Sequence, residues 1–173
     1  MEVTSNKLFR NIVFSFPLIL LFFLVFTGFD FSFFYYEVNF SFNFTYLVIF
    51  YWVLKKPESL GYGLIFFAGL INDVVQNFPI GISSINYLLL CVIAAFIRKR
   101  ILLPSLLYDW ILFFIAILII SSINFSISTM VFDIPISYET LMFSLFITFL
   151  VYPIFSKIFD IIYLFSLEQY NVE

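Results

Sequence analysis

The chain has 173 residues, of which 64% are hydrophobic and only 11% are charged, whereas ordinary soluble domains carry about 25% charged residues. A soluble domain of this length could not bury so much apolar surface, so the composition predicts a protein whose solvent is lipid. The chain has one cysteine and no histidine, which excludes an intramolecular disulfide, the usual zinc sites and Ser-His-Asp or Cys-His catalytic groups.

Six apolar segments follow one another along the chain, and each is near the length of about 17–25 residues that crosses the bilayer core. They are 11–29, 38–54, 60–77, 80–97, 106–124 and 138–156. The first segment lacks a small-residue cleavage site and is interpreted as an uncleaved helix. No connection is long enough to form a domain. The prediction is therefore a single multi-pass membrane domain over residues 1–173, all-α, with six transmembrane helices.

The positions of the basic residues predict the orientation of these segments. With six crossings, every lysine and arginine falls on one face of the membrane: Lys7, Arg10, Lys55, Lys56, Arg98, Lys99, Arg100 and Lys157. The positive-inside rule then places both termini in the cytoplasm. The two basic clusters, 55–56 and 98–100, have two explanations. They either set the topology alone or also face acidic partners or anionic lipid.

The third segment is unusual because it carries polar side chains around one carboxylate, Asp73. A charged group at the centre of an inserted helix costs about 2.5 to 3.5 kcal/mol, so such a group is expected to face a partner or a pocket. On a helix, Gly69, Asp73 and Gln76 share a stripe, and Asn72 lies beside it. This polar stripe predicts that the third helix packs inside the bundle.

The turn after the third segment offers a structural partner for Asp73. Pro79 and Gly81 lie where the chain reverses, and Ser83 lies at the start of the fourth helix. The unpaired backbone N–H groups at a helix start are good partners for a carboxylate. We therefore expect Asp73 to join the third and fourth helices into a hairpin. Docking of a partner helix and handling of an ion or proton are the alternatives.

The last two segments carry weaker signals. Asp109 and Glu139 fall in the first turns of the fifth and sixth helices, where an acidic group suits the helix dipole. Pro17 lies inside the first segment and Pro153 inside the sixth, and each is expected to kink its helix. The cytoplasmic tail 157–173 has two interpretations of equal weight. It forms an amphipathic interfacial helix, or it continues the sixth helix until that helix frays.

The residues around Asp73 also resemble a known family. The segment Gly69–Asp73 (GLIND), followed by Pro79–Gly81 (PIG), is similar to the Gly-Leu-x-x-Asp … Leu-Gly pattern of the rod shape-determining protein MreD family. The preceding Lys55-Lys56-Pro57 and the fourth helix ending at 98–100 also fit. The specific resemblance covers about 57–100, whereas length and number of segments agree over the whole chain. The turn at 78–80 has fewer glycines than the family pattern.

The resemblance implies a non-enzymatic component of the bacterial inner membrane that acts in cell shape and lateral peptidoglycan synthesis. In that family the protein associates with MreC, and together they link MreB filaments to RodA and a transpeptidase penicillin-binding protein within the elongasome. The family is also similar in architecture to the six-helix substrate-binding subunits of energy-coupling-factor transporters. No cofactor, metal or nucleic acid is expected.

Two hypotheses of function follow. In the first, the protein is a morphogenesis scaffold, and the family motif has a structural or partner-docking role at Gly69, Leu70, Asp73, Pro79 and Gly81. In the second, it is a small-molecule-binding subunit of an energy-coupling-factor-type transporter. An outward pocket would then be lined by Asn72, Asp73, Gln76 and Asn86. What co-purifies in gentle detergent separates the two: an MreC-like protein, or a vitamin with an ATPase module.

Overall fold

The structure, a computed structural model, describes residues 2–28, 33–35, 38–40, 42–100, 105–133 and 137–170, and the side chains of 15–28, 42–100, 105–133 and 137–164. Its helices are α1 (Glu2–Thr27), α2 (Phe44–Lys55), α3 (Tyr62–Gln76), α4 (Ile82–Arg100), α5 (Leu106–Met130) and α6 (Tyr138–Tyr170), with a short 3-10 turn at Pro57–Ser59. The six α-helices of these residues confirm the predicted all-helical class. The strands β1 (Phe33–Tyr35) and β2 (Val38–Phe40) are the exception.

The two strands correct the predicted start of the second segment. They pair antiparallel, with Phe33 opposite Phe40 and Tyr35 opposite Val38. The helix begins at Phe44, six residues later than the predicted boundary at Val38. The sequence carries a signal for this, because apolar and polar residues alternate from 38 to 43 (VNFSFN) with the period of a strand. Their high hydropathy alone had suggested a span.

The second helix forms the centre of the bundle. It packs against α1, α4 and α6, and every residue from Leu47 to Val53 is buried. A helix that is apolar on all sides is expected to be buried in this way. Its 12 residues make it about 18 Å long, which is shorter than the hydrocarbon core of about 30 Å. Because its side chains are buried on all sides, α2 contributes the core of the bundle.

Three helices are long and apolar enough to cross a membrane. They are Ile82–Arg100, Leu106–Met130 and Tyr138–Leu164. The other apolar helices are shorter: Ser15–Thr27, Phe44–Lys55 and Tyr62–Gln76. Length and composition of the described helices thus support three spans, and the number of six crossings stays a prediction.

Contacts between parallel helices place the basic residues of α2, α4 and α6 at one end of the bundle. Tyr46 and Tyr87, near the starts of α2 and α4, have ring centroids 5.8 Å apart. Asn43, just before α2, is hydrogen-bonded to Thr148 in the first half of α6. The second halves of these helices, which carry Lys55, Arg98–Arg100 and Lys157, therefore lie towards the same end of the bundle. We call this the basic end, and the opposite one, with the turn 77–81, the hairpin end. The side chains of Lys7 and Arg10 lie outside the described residues.

The sixth helix is longer than the predicted span 138–156. It continues to Tyr170, and Phe159 is buried against Tyr51, with ring centroids 5.2 Å apart. Residues 157–164 of the predicted tail therefore belong to the bundle, because aromatic packing against α2 extends past Lys157. Of the two interpretations of the tail, the structure favours continuation of the sixth helix. Residues 171–173 lie outside the described residues.

Candidate functional site

The carboxylate of Asp73 joins the end of α3 to the start of α4. Its Oδ2 accepts a hydrogen bond from the backbone N–H of Gly81 at 2.6 Å, and its Oδ1 accepts one from the N–H of Ser83 at 2.9 Å. The side chain is fully buried. Helix starts leave N–H groups without intrahelical partners, so Asp73 caps α4 from the neighbouring helix. The contact predicted from the sequence is therefore present.

The turn between α3 and α4 contains two residues with positive φ, an asparagine and a glycine. Asn77 ends α3 in the left-handed region with φ of 56°, and its N–H and that of Phe78 bond to the carbonyl oxygen of Asp73. Gly81 has φ of 107°, which side chains disfavour. Pro79 lies between them, and its carbonyl accepts a hydrogen bond from the N–H of Ile82 at 3.4 Å. Together these residues turn the Gly81 N–H towards Asp73.

Gly69 brings α3 and α4 into backbone contact. A Cβ added at Gly69 would lie 2.6 Å from the backbone nitrogen of Ser84 and 2.8 Å from its Oγ, and it would also overlap the Ser84 Cα. The Ser84 hydroxyl donates a hydrogen bond to the Phe66 carbonyl at 3.0 Å. Small residues allow helices to approach in this way, and polar side chains then bond across the contact. Gly69 and Asp73 thus act on the same hairpin.

The other predicted residues of the third helix have different surroundings. Asn72 donates from Nδ2 to the Ser83 Oγ at 3.0 Å, which adds a third link to α4. Gln76 lies against the end of α1, since a Cβ added at Gly28 would be 3.6 Å from Gln76 Nε2. Leu70 is partly buried. The stripe therefore faces two neighbours, α4 and α1.

The hypothetical pocket residues do not show a common binding surface. Both carboxylate oxygens of Asp73 and the amide nitrogen of Asn72 are used inside the hairpin. Asn86 is buried on α4, and its Oδ1 has no hydrogen-bond partner among the described residues. Gln76 faces the end of α1. A ligand bound by Asp73 and Asn72 would have to compete with the hydrogen bonds that these residues make inside the hairpin.

The basic clusters differ in their surroundings. Lys55 is partly buried, and its Nζ lies 3.5 Å from Oδ2 of Asp109 at the start of α5. Arg98, Lys99 and Arg100 are exposed, and the Arg100 guanidinium lies over the Phe96 ring at 5.1 Å from its centroid. The sequence had suggested a helix-dipole role for Asp109 without identifying Lys55 as its partner. Lys55 is thus an internal ion-pair partner as well as a basic-end residue.

Two links to α6 were not predicted. Tyr51 of α2 donates its hydroxyl to Oδ1 of Asp160 at 2.6 Å. Trp110 of α5 donates from Nε1 to the carbonyl of Phe149 at 2.7 Å. Pro153 offers a sequence signal for the second link, since a proline has no N–H for the carbonyl four residues earlier, and that carbonyl belongs to Phe149. No local pattern distinguishes the first link.

The hairpin lies inside a segment that matches one family over most of the chain. The family model of rod shape-determining protein MreD matches residues 9–162. The chain belongs to the MreD family. Comparisons with curated proteins and with solved structures found no match. The MreD match extends well beyond residues 57–100, which carry the recognisable motif, and reaches all six helices described above. The MreD resemblance inferred from the Gly69–Gly81 segment is therefore confirmed, and with it a role in rod shape determination by a membrane protein.

Proposed function

We propose that this MreD-family protein is a non-enzymatic membrane scaffold of the bacterial cell-elongation complex that regulates cell shape and lateral peptidoglycan synthesis. The observation that carries the proposal is the family match over residues 9–162. The proposed location is the inner membrane, with six crossings and both termini in the cytoplasm. Lys55, Arg98–Arg100 and Lys157, which lie at one end of the bundle, support this orientation because cytoplasmic ends are rich in basic residues.

The proposed partners are the membrane helix of MreC, with RodA and a transpeptidase penicillin-binding protein, and indirectly MreB. The α3 helix supports helix docking, because it packs chiefly against α1 and α4 and leaves large apolar side chains exposed. These include Phe67 at 58% and Val74 at 64% exposure. The hairpin contacts of Asp73 and Gly69 set the position of this face. In this mechanism the motif residues act through the shape of the hairpin, and exposed side chains make the contact.

Asp73→Asn tests the role of the hairpin in this function. The variant keeps the shape of the side chain and removes its charge. Three quantities are measured together: the protein level in membranes, the MreC that co-purifies with the tagged chain, and cell shape. We expect a lower protein level with parallel losses in the other two. A normal level with lost MreC would instead assign Asp73 to docking, and wild-type behaviour in all three would contradict both roles.

Phe67→Ala and Val74→Ala test the exposed face of α3. We expect both to reduce MreC co-purification at a normal protein level, because neither side chain supports the bundle. Val92→Ala is the matched control, since Val92 has a similar exposure, 65%, on α4. Equal MreC recovery for all three variants would contradict docking at α3. Recovery of a bound vitamin and an ATPase module, without MreC, would favour the alternative of a transporter subunit, which no contact among the described residues supports.

A further inference from the structure

The α4 helix ends on three consecutive basic residues at the depth of phospholipid headgroups. Its 19 residues make it about 28 Å long, which is close to the hydrocarbon core of about 30 Å. The helix is also apolar enough to cross a membrane. When α4 spans the bilayer, its last three residues, Arg98, Lys99 and Arg100, therefore lie at the membrane surface.

These three cations are not neutralised by the bundle. Among the described residues, no carboxylate lies within ion-pair distance of any of them, whereas Lys55 at the same end is 3.5 Å from Asp109. The sequence from 74 to 108 contains no acidic residue. The cluster 98–100 therefore concentrates positive charge on a chain whose formal net charge is -3.

An apolar stripe of α4 leads to this cluster. Val92 and Phe96 are 65% and 60% exposed. With Arg100 they follow one another at spacings of four residues, so the three lie on one side of the helix. Lys99, three positions after Phe96, lies on the same side and is exposed. This side of α4 therefore offers apolar surface below two cations, which is the arrangement of an acyl chain below a phosphate.

The Arg100 guanidinium is held at the top of the stripe. It lies over the Phe96 ring, 5.1 Å from the centroid. Stacking on an aromatic ring uses the flat face of the guanidinium and leaves the N–H groups at its edge available to a phosphate, which arginine binds through two parallel hydrogen bonds. The positive-inside rule accounts for basic residues at this end, but it does not require that Arg100 lie on Phe96.

We propose that this side of α4 binds an anionic phospholipid of the membrane leaflet at the basic end. The phosphate lies against Arg100 and Lys99, and an acyl chain follows Phe96 and Val92. Charge complementarity selects this occupant, because basic residues next to a membrane span attract anionic lipid. The proposal does not rest on the scaffold function, since it requires only that α4 spans a bilayer.

Lipid binding to the purified full-length protein tests the site. Native mass spectrometry in detergent gives the apparent Kd for phosphatidylglycerol, which is anionic, and for phosphatidylcholine with the same acyl chains and no net charge. We expect tighter binding of phosphatidylglycerol. Arg100→Gln and Lys99→Gln are each expected to weaken it about fivefold and to leave phosphatidylcholine binding unchanged. Phe96→Leu is expected to weaken phosphatidylglycerol binding too, because the ring under the guanidinium is lost.

Matched variants separate the site from general positive charge. Arg98→Gln removes a cation from the same cluster, but Arg98 is two positions after Phe96 and so points to another side of the helix. Lys157→Gln removes an exposed cation at the same end on α6. Both are expected to weaken phosphatidylglycerol binding less than Arg100→Gln does. Phe146→Leu, at a side chain that is 58% exposed, is the control for Phe96→Leu and is expected to have no effect.

Three results would overturn the proposal. The first is equal affinity of the wild-type protein for the two lipids. The second is equal weakening of phosphatidylglycerol binding by Arg98→Gln and Arg100→Gln, which would show that charge acts without a site. The third is loss of a co-purifying acidic protein in Arg100→Gln at unchanged phosphatidylglycerol affinity, which would assign the cluster to a protein partner.

Discussion

Gly69 of α3 lies against Ser84 of α4 so closely that any side chain at Gly69 would overlap the Ser84 backbone. The same helix has a second glycine, Gly63, which is exposed, and a Cβ added there would have no atom of another helix within 4 Å. The two glycines therefore have different reasons to be present. Only Gly69 sets the distance between the two helices whose ends Asp73 joins.

Gly69→Ala is expected to destabilise the protein, because an added carbon in a close-packed contact costs about 1–3 kcal/mol. Gly63→Ala is its control. Alanine is favoured over glycine in a helix by about 1 kcal/mol, so this variant is expected to be neutral or stabilising. The measurement is the thermal transition of the purified protein in detergent, followed by fluorescence-detected size exclusion. Equal shifts for the two variants would show that the α3–α4 contact is not close.

Asp73→Ala is expected to lower stability more than Asp73→Asn. The alanine leaves the N–H groups of Gly81 and Ser83 unpaired, and each buried unpaired group costs about 1–3 kcal/mol. Asparagine keeps one acceptor oxygen and therefore one of the two bonds. Glu139→Gln, at an exposed position, is expected to change stability by less than about 0.5 kcal/mol. Thermal transitions of the three proteins give the comparison. A smaller loss for alanine than for asparagine would contradict the capping role.

Lys55→Met is expected to be more destabilising than Asp109→Leu. The first variant leaves the carboxylate of Asp109, which is 5% exposed, without its cation, whereas the second leaves Lys55, which at 24% exposure can reach water. Breaking a buried ion pair by removing one partner costs about 3–5 kcal/mol. The double variant is expected to recover part of the loss. Lys99→Met, at an exposed residue of the other basic cluster, is the control. Strict additivity of the Lys55 and Asp109 variants would show that the pair does not interact.

Trp110→Phe is expected to destabilise the protein by about 1–3 kcal/mol, because the Phe149 carbonyl then lacks both its helical donor and the indole N–H. In the Pro153→Ala background the same change is expected to cost less, because alanine supplies the N–H that proline lacks. The measurement is a double-mutant cycle of thermal stability at positions 110 and 153. A Trp110→Phe cost that is independent of position 153 would contradict the described role of the indole.

The hairpin was the part of the site most open to prediction, because its signals are local. Asp73, the turn residues and Ser83 lie within 11 residues of one another, and a carboxylate near the next helix start has an obvious use. Val38–Phe40 shows the opposite case. Its hydropathy resembles that of a span, and only the alternation of polar residues marks it as a strand. The partner of Asp109 was not predictable, since Lys55 is 54 residues away and nothing local specifies the pair.

By itself, the sequence determined that lipid is the solvent, that the chain forms apolar helices, that its basic residues lie in a few clusters between the apolar segments, and that it belongs with MreD. These properties follow from composition, periodicity and a short motif, which do not depend on distant contacts. The tertiary structure alone decided that α2 is the buried centre, that Lys55 pairs with Asp109, and that Trp110 and Tyr51 are hydrogen-bonded to α6. Each of these depends on which helix faces share a contact, and in a chain this uniformly apolar, hydropathy does not distinguish a lipid-facing side from a packed one.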